Sequence, residues 1–112
     1  MKSGRSVLKP VFRTTLGSLY EADCLDLLPT LKSKSVDTVF ADPPFNLGKN
    51  YGARCPDYRS EVDYLTWCER WLDECSRVLK PGGALFIYNL PKWNIPLGAH
   101  LRVCPGDFSS ST

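Results

Sequence analysis

Histidine occurs once in this chain of 112 residues and methionine once, and no two cysteines share a Cys-x-x-Cys spacing. Long apolar runs are missing as well. The longest, Ala84-Leu85-Phe86-Ile87-Tyr88, is far short of the roughly 20 residues a membrane helix needs, and Met1-Lys2-Ser3-Gly4 leads into no signal-peptide core. A soluble, cytoplasmic protein without membrane contact is expected. Cys24, Cys55, Cys68, Cys75 and Cys104 are odd in number, so they read as reduced thiols, mostly in the core, and not as a disulfide framework. The lone His100 lies in a poorly patterned segment, which speaks against a zinc site. Charge of one sign is also scarce: the formal net charge is +2, too mild to mark a nucleic-acid binder. The basic bias of Lys2, Arg5, Lys9 and Arg13 reads as a solvated tail. The length suits one small domain or part of one, without room for a large cofactor domain and a separate recognition domain.

What is present alternates strand and helix. Leu16-Gly17-Ser18-Leu19-Tyr20-Glu21 is a candidate strand. Asp23 and Asp26 then open a helix with Leu25, Leu27, Leu28 and Leu31 as its apolar surface, because carboxylates in a first turn satisfy free N–H groups and the positive end of the dipole. Pro29 must kink or end it. Val36-Asp37-Thr38-Val39-Phe40-Ala41 has the near-continuous apolar, β-branched character of a parallel strand covered on both faces. From Glu61 to Leu79, Tyr64, Leu65, Cys68, Trp71, Leu72, Cys75, Val78 and Leu79 recur every three or four residues, which predicts a helix. Ser60 and Asp63 resemble a capping box at its start. Trp67 and Trp71 share its apolar side and are expected in the core. Lys80-Pro81-Gly82-Gly83 stops the helix, and Ala84 to Tyr88 is a second buried strand. A long helix between two strands makes a right-handed crossover the default. Asp42 and Asn89 should then share the carboxyl edge of one parallel sheet, where ligands of open α/β sheets bind.

Asp42-Pro43-Pro44-Phe45 follows the first of those strands directly. An isolated Asp-Pro-Pro is a turn in most proteins. Here it ends a buried-strand pattern, precedes Asn46-Leu47-Gly48, and is followed by Arg77-Val78-Leu79-Lys80-Pro81-Gly82-Gly83 at the next helix-to-strand junction. Together with Asp23-Cys24-Leu25 and Ser35-Val36-Asp37, these segments resemble the amino-terminal half of the amino-methylating DNA methyltransferases, over roughly residues 16 to 100. The Lys-Pro-Gly-Gly turn is shared by many small-molecule methyltransferases, so the Asp-Pro-Pro-Phe loop carries the substrate class.

The resemblance implies a partial Rossmann-like methyltransferase fold of the α/β class, truncated, with a mostly parallel sheet. It implies S-adenosylmethionine as cofactor and DNA as partner. In such a site the Asp42 carboxylate and the Pro43 carbonyl accept the two hydrogens of an exocyclic amine. Its lone pair, otherwise delocalised into the ring, is thereby directed at the methyl group. Pro44 stiffens the loop and Phe45 stacks on a flipped base. Acid at position 42 points to adenine N6, with cytosine N4 the alternative; RNA stays open as a substrate, while a protein amide is disfavoured, since amide enzymes usually carry Asn there. Asp42 and Asp23 are the candidate cofactor contacts, although for Asp23 the local reading, a plain helix cap, is preferred. The loop from Leu47 to Arg59, with Gly48, Lys49, Gly52, Arg54 and Arg59, has the composition of a phosphate-touching flap or of an ordinary solvated loop.

The family's glycine-rich cofactor motif, Phe-x-Gly-x-Gly, does not occur in this sequence. The expected organisation is an N-terminal tail over 1–15, the catalytic half of a methyltransferase domain over 16–101, and an irregular tail over 102–112 arising from truncation or a frameshift near Leu101. Pro91-Lys92-Trp93-Asn94 reads as irregular, with Trp93 covering the sheet edge or packing against segments this chain lacks. A chain so composed is expected to transfer no methyl group alone. It would act with a complementing chain that supplies the cofactor half, or persist as a non-catalytic nucleic-acid or partner-binding remnant.

Overall fold

A computed structural model describes residues 8–46 and 60–103. Two short strands, β1 (Phe12–Arg13) and β2 (Ser18–Leu19), form an antiparallel hairpin with Phe12 opposite Leu19 and Arg13 opposite Ser18. Thr14 makes the turn: its N–H donates to the Gly17 carbonyl at 2.8 Å, and its Oγ1 accepts the N–H groups of Leu16 and Gly17. The strand expected over 16–21 is therefore reduced to Ser18–Leu19, and it pairs with residues assigned to the tail instead of joining the parallel sheet. A hydroxyl that satisfies two turn donors favours this local closure.

Helix α1 (Cys24–Leu27) begins at Asp23, whose Oδ1 accepts the Leu25 N–H at 2.9 Å. It tightens into a 3-10 turn at Leu28–Thr30, where Pro29 lacks the donor an α-helical turn would use. Strand β3 (Val36–Ala41) pairs in parallel with β4 (Leu79–Ile87) through Thr38–Ala84, Val39–Leu85, Phe40–Phe86 and Ala41–Ile87. Between them runs helix α2 (Glu61–Val78), with Ser60 Oγ accepting the Asp63 N–H at 3.2 Å, as its capping residues predict.

The Lys-Pro-Gly-Gly segment does more than stop α2. Val36 pairs with Leu79 and Thr38 with Ala84, so Lys80, Pro81, Gly82 and Gly83 form an excursion within β4. Gly82 takes φ +83°, a conformation that a Cβ disfavours. Lys80 Nζ reaches Asp37 Oδ1 at 3.1 Å across this excursion.

The end of α2 is tied to the segment before β3 in both directions. Lys34 and Ser35 donate their N–H groups to the carbonyls of Arg77 and Val78 at 3.0 and 2.8 Å, which satisfies two acceptors left over at a helix end. The Arg77 guanidinium returns to the Leu28 and Leu31 carbonyls at 2.8 and 3.0 Å and to Ser33 Oγ at 2.9 Å, and it pairs with Glu74.

Residues 91–103 differ from expectation. Pro91–Val103 is a helix, α3, in place of an irregular segment, and it runs past the boundary expected at Leu101. Pro96 and Gly98 mask it in the sequence, because each lowers the propensity of a helix interior. Trp93 and Leu97 are nevertheless one turn apart and both fully packed, with Leu101 continuing the stripe. The core joins this stripe to Tyr64, Cys68, Trp71, Leu72 and Cys75 of α2, and Val39, Ala41, Leu85 and Ile87 line it from the sheet. His100 Nε2 meets Asp73 Oδ1 at 2.7 Å, a second tie between the helices.

The sheet is covered on one face only among the described residues, contrary to the two-sided burial expected of β3. Phe40, Phe86 and Tyr88 point to the other side and are 69%, 55% and 61% exposed. Strict alternation along the strand places Val39 and Ala41 inward and Phe40 outward. Of the described thiols, Cys68 and Cys75 are buried and Cys24 is exposed. Cys55 and Cys104 lie outside the described residues.

Candidate active site

The parallel register decides where the acid, the prolines and the aromatic ring stand. Ala41 is opposite Ile87, and the Tyr88 N–H donates to the Ala41 carbonyl at 2.9 Å. Asp42 therefore leaves β3 at the carboxyl edge beside Tyr88 and Asn89, as predicted for a βαβ unit. Asp42 and Pro44 are exposed; Pro43 and Phe45 are half-buried. The Phe45 ring meets Tyr88 edge-on, with centroids 5.7 Å apart and planes at 62°, a favourable aromatic geometry. One side of the acidic loop is thus an aromatic wall.

The loop is held from behind by its carbonyls. The Tyr64 hydroxyl, on the first buried turn of α2, donates to the Pro44 carbonyl. Trp93 Nε1, on the first turn of α3, donates to the Phe45 carbonyl at 2.7 Å. The two rings pack on each other with centroids 4.8 Å apart, and Lys92 Nζ lies 4.4 Å from the centre of the Trp93 ring, within cation–π range. Asn89 Nδ2 donates to the Tyr64 hydroxyl at 2.9 Å, while Asn89 Oδ1 accepts the Leu90 N–H at 2.8 Å. Among the described residues no donor reaches the Pro43 carbonyl. Asn46 closes the described part of the loop at φ 59°, a left-handed conformation that Asn tolerates better than most residues.

Asp23 stands apart from this arrangement. Its side chain caps α1, and its carbonyl accepts the N–H groups of Asp26 and Leu27 at 2.9 and 3.2 Å, so its described hydrogen bonds all go to its own helix. The possible flap from Leu47 to Arg59 lies outside the described residues. Tyr64, Asn89 and Trp93 are site residues that pattern reading did not single out for that role. Tyr64 and Trp93 are apolar-stripe members whose polar tips become visible only once the loop is in place. Asn89 alone had a signal, its position at the strand end.

The edge as described does not form a cradle for S-adenosylmethionine. The glycines whose surroundings are defined, Gly17, Gly82, Gly83 and Gly98, lie in the hairpin turn, the β4 excursion and α3. None lies in 41–46 or 88–90, where backbone would have to approach the cofactor closely. The residues at the edge are suited to the acceptor side of a reaction: an exposed carboxylate, an unclaimed carbonyl and an aromatic face.

The α/β unit presents Asp-Pro-Pro-Phe at the carboxyl end of a parallel strand, where the sequence resemblance expects it. Comparison with known proteins agrees: residues 36–105 match the family model for DNA methylases of the N6/N4 methyltransferase type, and the chain belongs to that family. It is 55% identical over 95 residues, 85% of this chain, to Type II methyltransferase M.BamHI of Bacillus amyloliquefaciens. Identity is 40% over 67 residues, 60% of the chain, with Type II methyltransferase M.HpaI of Haemophilus parainfluenzae. It is 35% over 72 residues, 64% of the chain, with DNA adenine methyltransferase YhdJ of Escherichia coli (strain K12). The aligned regions span 22%, 21% and 24% of those three relatives. No described helix is long and apolar enough to cross a membrane.

Proposed function

We propose that this chain is the base-binding, amine-orienting half of an S-adenosylmethionine-dependent DNA methyltransferase directed at adenine N6. The observation that carries the reading is the exposed Asp42 at the carboxyl edge, beside the half-buried Phe45 ring, with the carbonyls of Pro44 and Phe45 already taken by protein donors. That arrangement leaves the Asp42 carboxylate and the Pro43 carbonyl as the acceptors for an incoming amine. Two acceptors on one NH₂ group turn its lone pair out of conjugation and toward an electrophile, so the acceleration comes from orientation and fixed dipoles. Asp42 need not be a strong base beforehand, because the amine becomes acidic only as it is alkylated. A base must leave the duplex to reach the edge, at a cost of a few kcal/mol, and stacking on Phe45 returns about 1–3 kcal/mol.

S-adenosylmethionine, when bound, supplies the electrophilic methyl group; the complementing half supplies its cradle. The acid at position 42 and the name of the relative YhdJ support adenine over cytosine. Asp23 enters the reading as a cap whose exposed carboxylate faces solvent.

The test is transfer of labelled methyl from S-adenosylmethionine to unmethylated DNA, by the pure chain and by the chain mixed with a separately expressed Phe-x-Gly-x-Gly half. No label is expected from the chain alone. The mixture should label adenine N6 and lose that activity with Asp42→Ala while the two halves still associate. Label appearing on cytosine N4 would replace the adenine reading. Transfer by the chain alone would overturn the need for a second half, and salt-sensitive DNA binding with no transfer in either format would leave a non-catalytic binding module.

A further inference from the structure

We infer that Asn89, Tyr64 and Trp93 are positioning residues of the Asp42 loop, and that Asn89 sets the direction of a one-way hydrogen-bond relay ending on the Pro44 carbonyl. The inference rests on the base-binding reading for its purpose but not for its geometry. A tyrosine hydroxyl has one proton to donate, and it can accept through its lone pairs. Which way that proton points is decided by what the hydroxyl accepts. Asn89 Oδ1 accepts the Leu90 N–H at 2.8 Å, which leaves Nδ2 as the end of the amide that faces Tyr64 Oη, at 2.9 Å. With Asn89 as its donor, Tyr64 directs its own proton to the Pro44 carbonyl.

Asn89 is itself anchored, because its carbonyl accepts a hydrogen from the Asn94 side-chain Nδ2 at 3.3 Å. The second hold, Trp93 Nε1 on the Phe45 carbonyl at 2.7 Å, comes from a ring 2% exposed and packed at a tilt against Tyr64 itself. Two successive peptide carbonyls are therefore gripped by two helices through one aromatic pair. Gripping both fixes the peptide planes that follow Pro43, and with them the direction of the Pro43 carbonyl and the exit of Asp42 from β3. Hydrogen bonds in such a chain polarise one another, so reversing one member is felt at the end.

Asn89→Asp is the discriminating variant. The carboxylate keeps the size of the side chain and can still accept the Leu90 N–H, but it cannot donate. It takes the Tyr64 proton for itself and strips the donor from Pro44. A side chain that merely filled space would tolerate the change. Tyr64→Phe, which deletes the hydroxyl and keeps the ring, is the second variant.

The experiment is NMR on the full 112-residue chain, reading the carbonyl ¹³C shifts of Pro44 and Phe45 and the exchange rate of the Trp93 indole N–H, with deoxyadenosine monophosphate as the base probe. Both variants should move the Pro44 carbonyl upfield and speed indole exchange about tenfold, the scale of one lost hydrogen bond. They should also weaken the perturbation of the Phe45 ring by the nucleotide by a similar factor. Wild-type carbonyl shifts and indole exchange in both variants would overturn the relay. A wild-type chain whose Phe45 ring ignores the nucleotide, with the relay signals still altered in the variants, would instead count against the base-binding reading and leave the relay standing.

Discussion

Gly83→Ala tests the closure of β4 on β3 with a single added methyl group. A Cβ at this position would lie 2.8 Å from the Asp37 carbonyl oxygen, 3.0 Å from the Lys80 carbonyl oxygen and 3.1 Å from Leu79 Cδ2. The first two are backbone atoms inside the strand pair and cannot swing aside. Overpacking of this kind costs about 1–3 kcal/mol. The unfolded chain loses some freedom in the same substitution, which offsets about 0.4–1 kcal/mol. Taken at the midpoints, a net destabilisation of about 1.3 kcal/mol follows, and with about 4–8 °C per kcal/mol for a domain near this size, a drop of roughly 5–10 °C in melting temperature. Gly98→Ala is the internal contrast, since Gly98 lies in α3 with nothing within 4 Å of its Cβ position. It should stabilise by about 0.5–1 kcal/mol through helix propensity. Urea unfolding followed by circular dichroism reads both. Movement of the two midpoints in the same direction, or a neutral Gly83→Ala, would refute the argument that β4 approaches β3 too closely for any side chain at 83.

Arg77→Ala removes the guanidinium contacts to the Leu28 and Leu31 carbonyls and to Ser33 Oγ; allowing for its partial exposure, about 2 kcal/mol of stability should be lost, and Arg77→Lys should recover only part because an ammonium cannot fork between those acceptors. Burial pushes the Cys75 thiol from its ordinary 9.0 up to about 11, so its contribution is fully present below pH 9 and is lost as the pH rises toward 11; Cys75→Ala should flatten the alkaline limb of a stability-versus-pH curve that otherwise falls in that window. Phe86→Thr on the open face should reduce self-association in sedimentation measurements without lowering the melting temperature by more than about 0.5 kcal/mol equivalent, since exposed apolar surface contributes to association more than to folding.

Legibility in the sequence followed how locally each feature is determined. Helix α2 was readable because its apolar residues recur at helical spacing and Ser60 and Lys80-Pro81-Gly82-Gly83 mark its ends. Strand β3 was readable to the residue, and with β4 it placed Asp42 and Asn89 at one edge. Helix α3 was hidden, because Pro96 and Gly98 argue against a helix locally while Trp93 and Leu97 stabilise it through packing on α2. The open face of the sheet was hidden for a related reason: Phe40 and Val39 are equally apolar, and only alternation against α2 says which one is buried. At the candidate site, Asp42 announced itself through its motif. The donors that grip the loop did not, since a tyrosine hydroxyl and an indole N–H in an apolar stripe look like core until their acceptors, carbonyls 20 and 48 residues away, are in place.

The four residues inserted between Leu79 and Ala84 have a mechanical meaning for the chain's capacity to change. Because the strand ladder restarts at Thr38 and Ala84 after the excursion, the length of α2 and the register of β4 are not rigidly geared to one another. A one-residue change in the Lys80–Gly82 stretch would be taken up as slack there, and Tyr88 would keep its place beside Asp42.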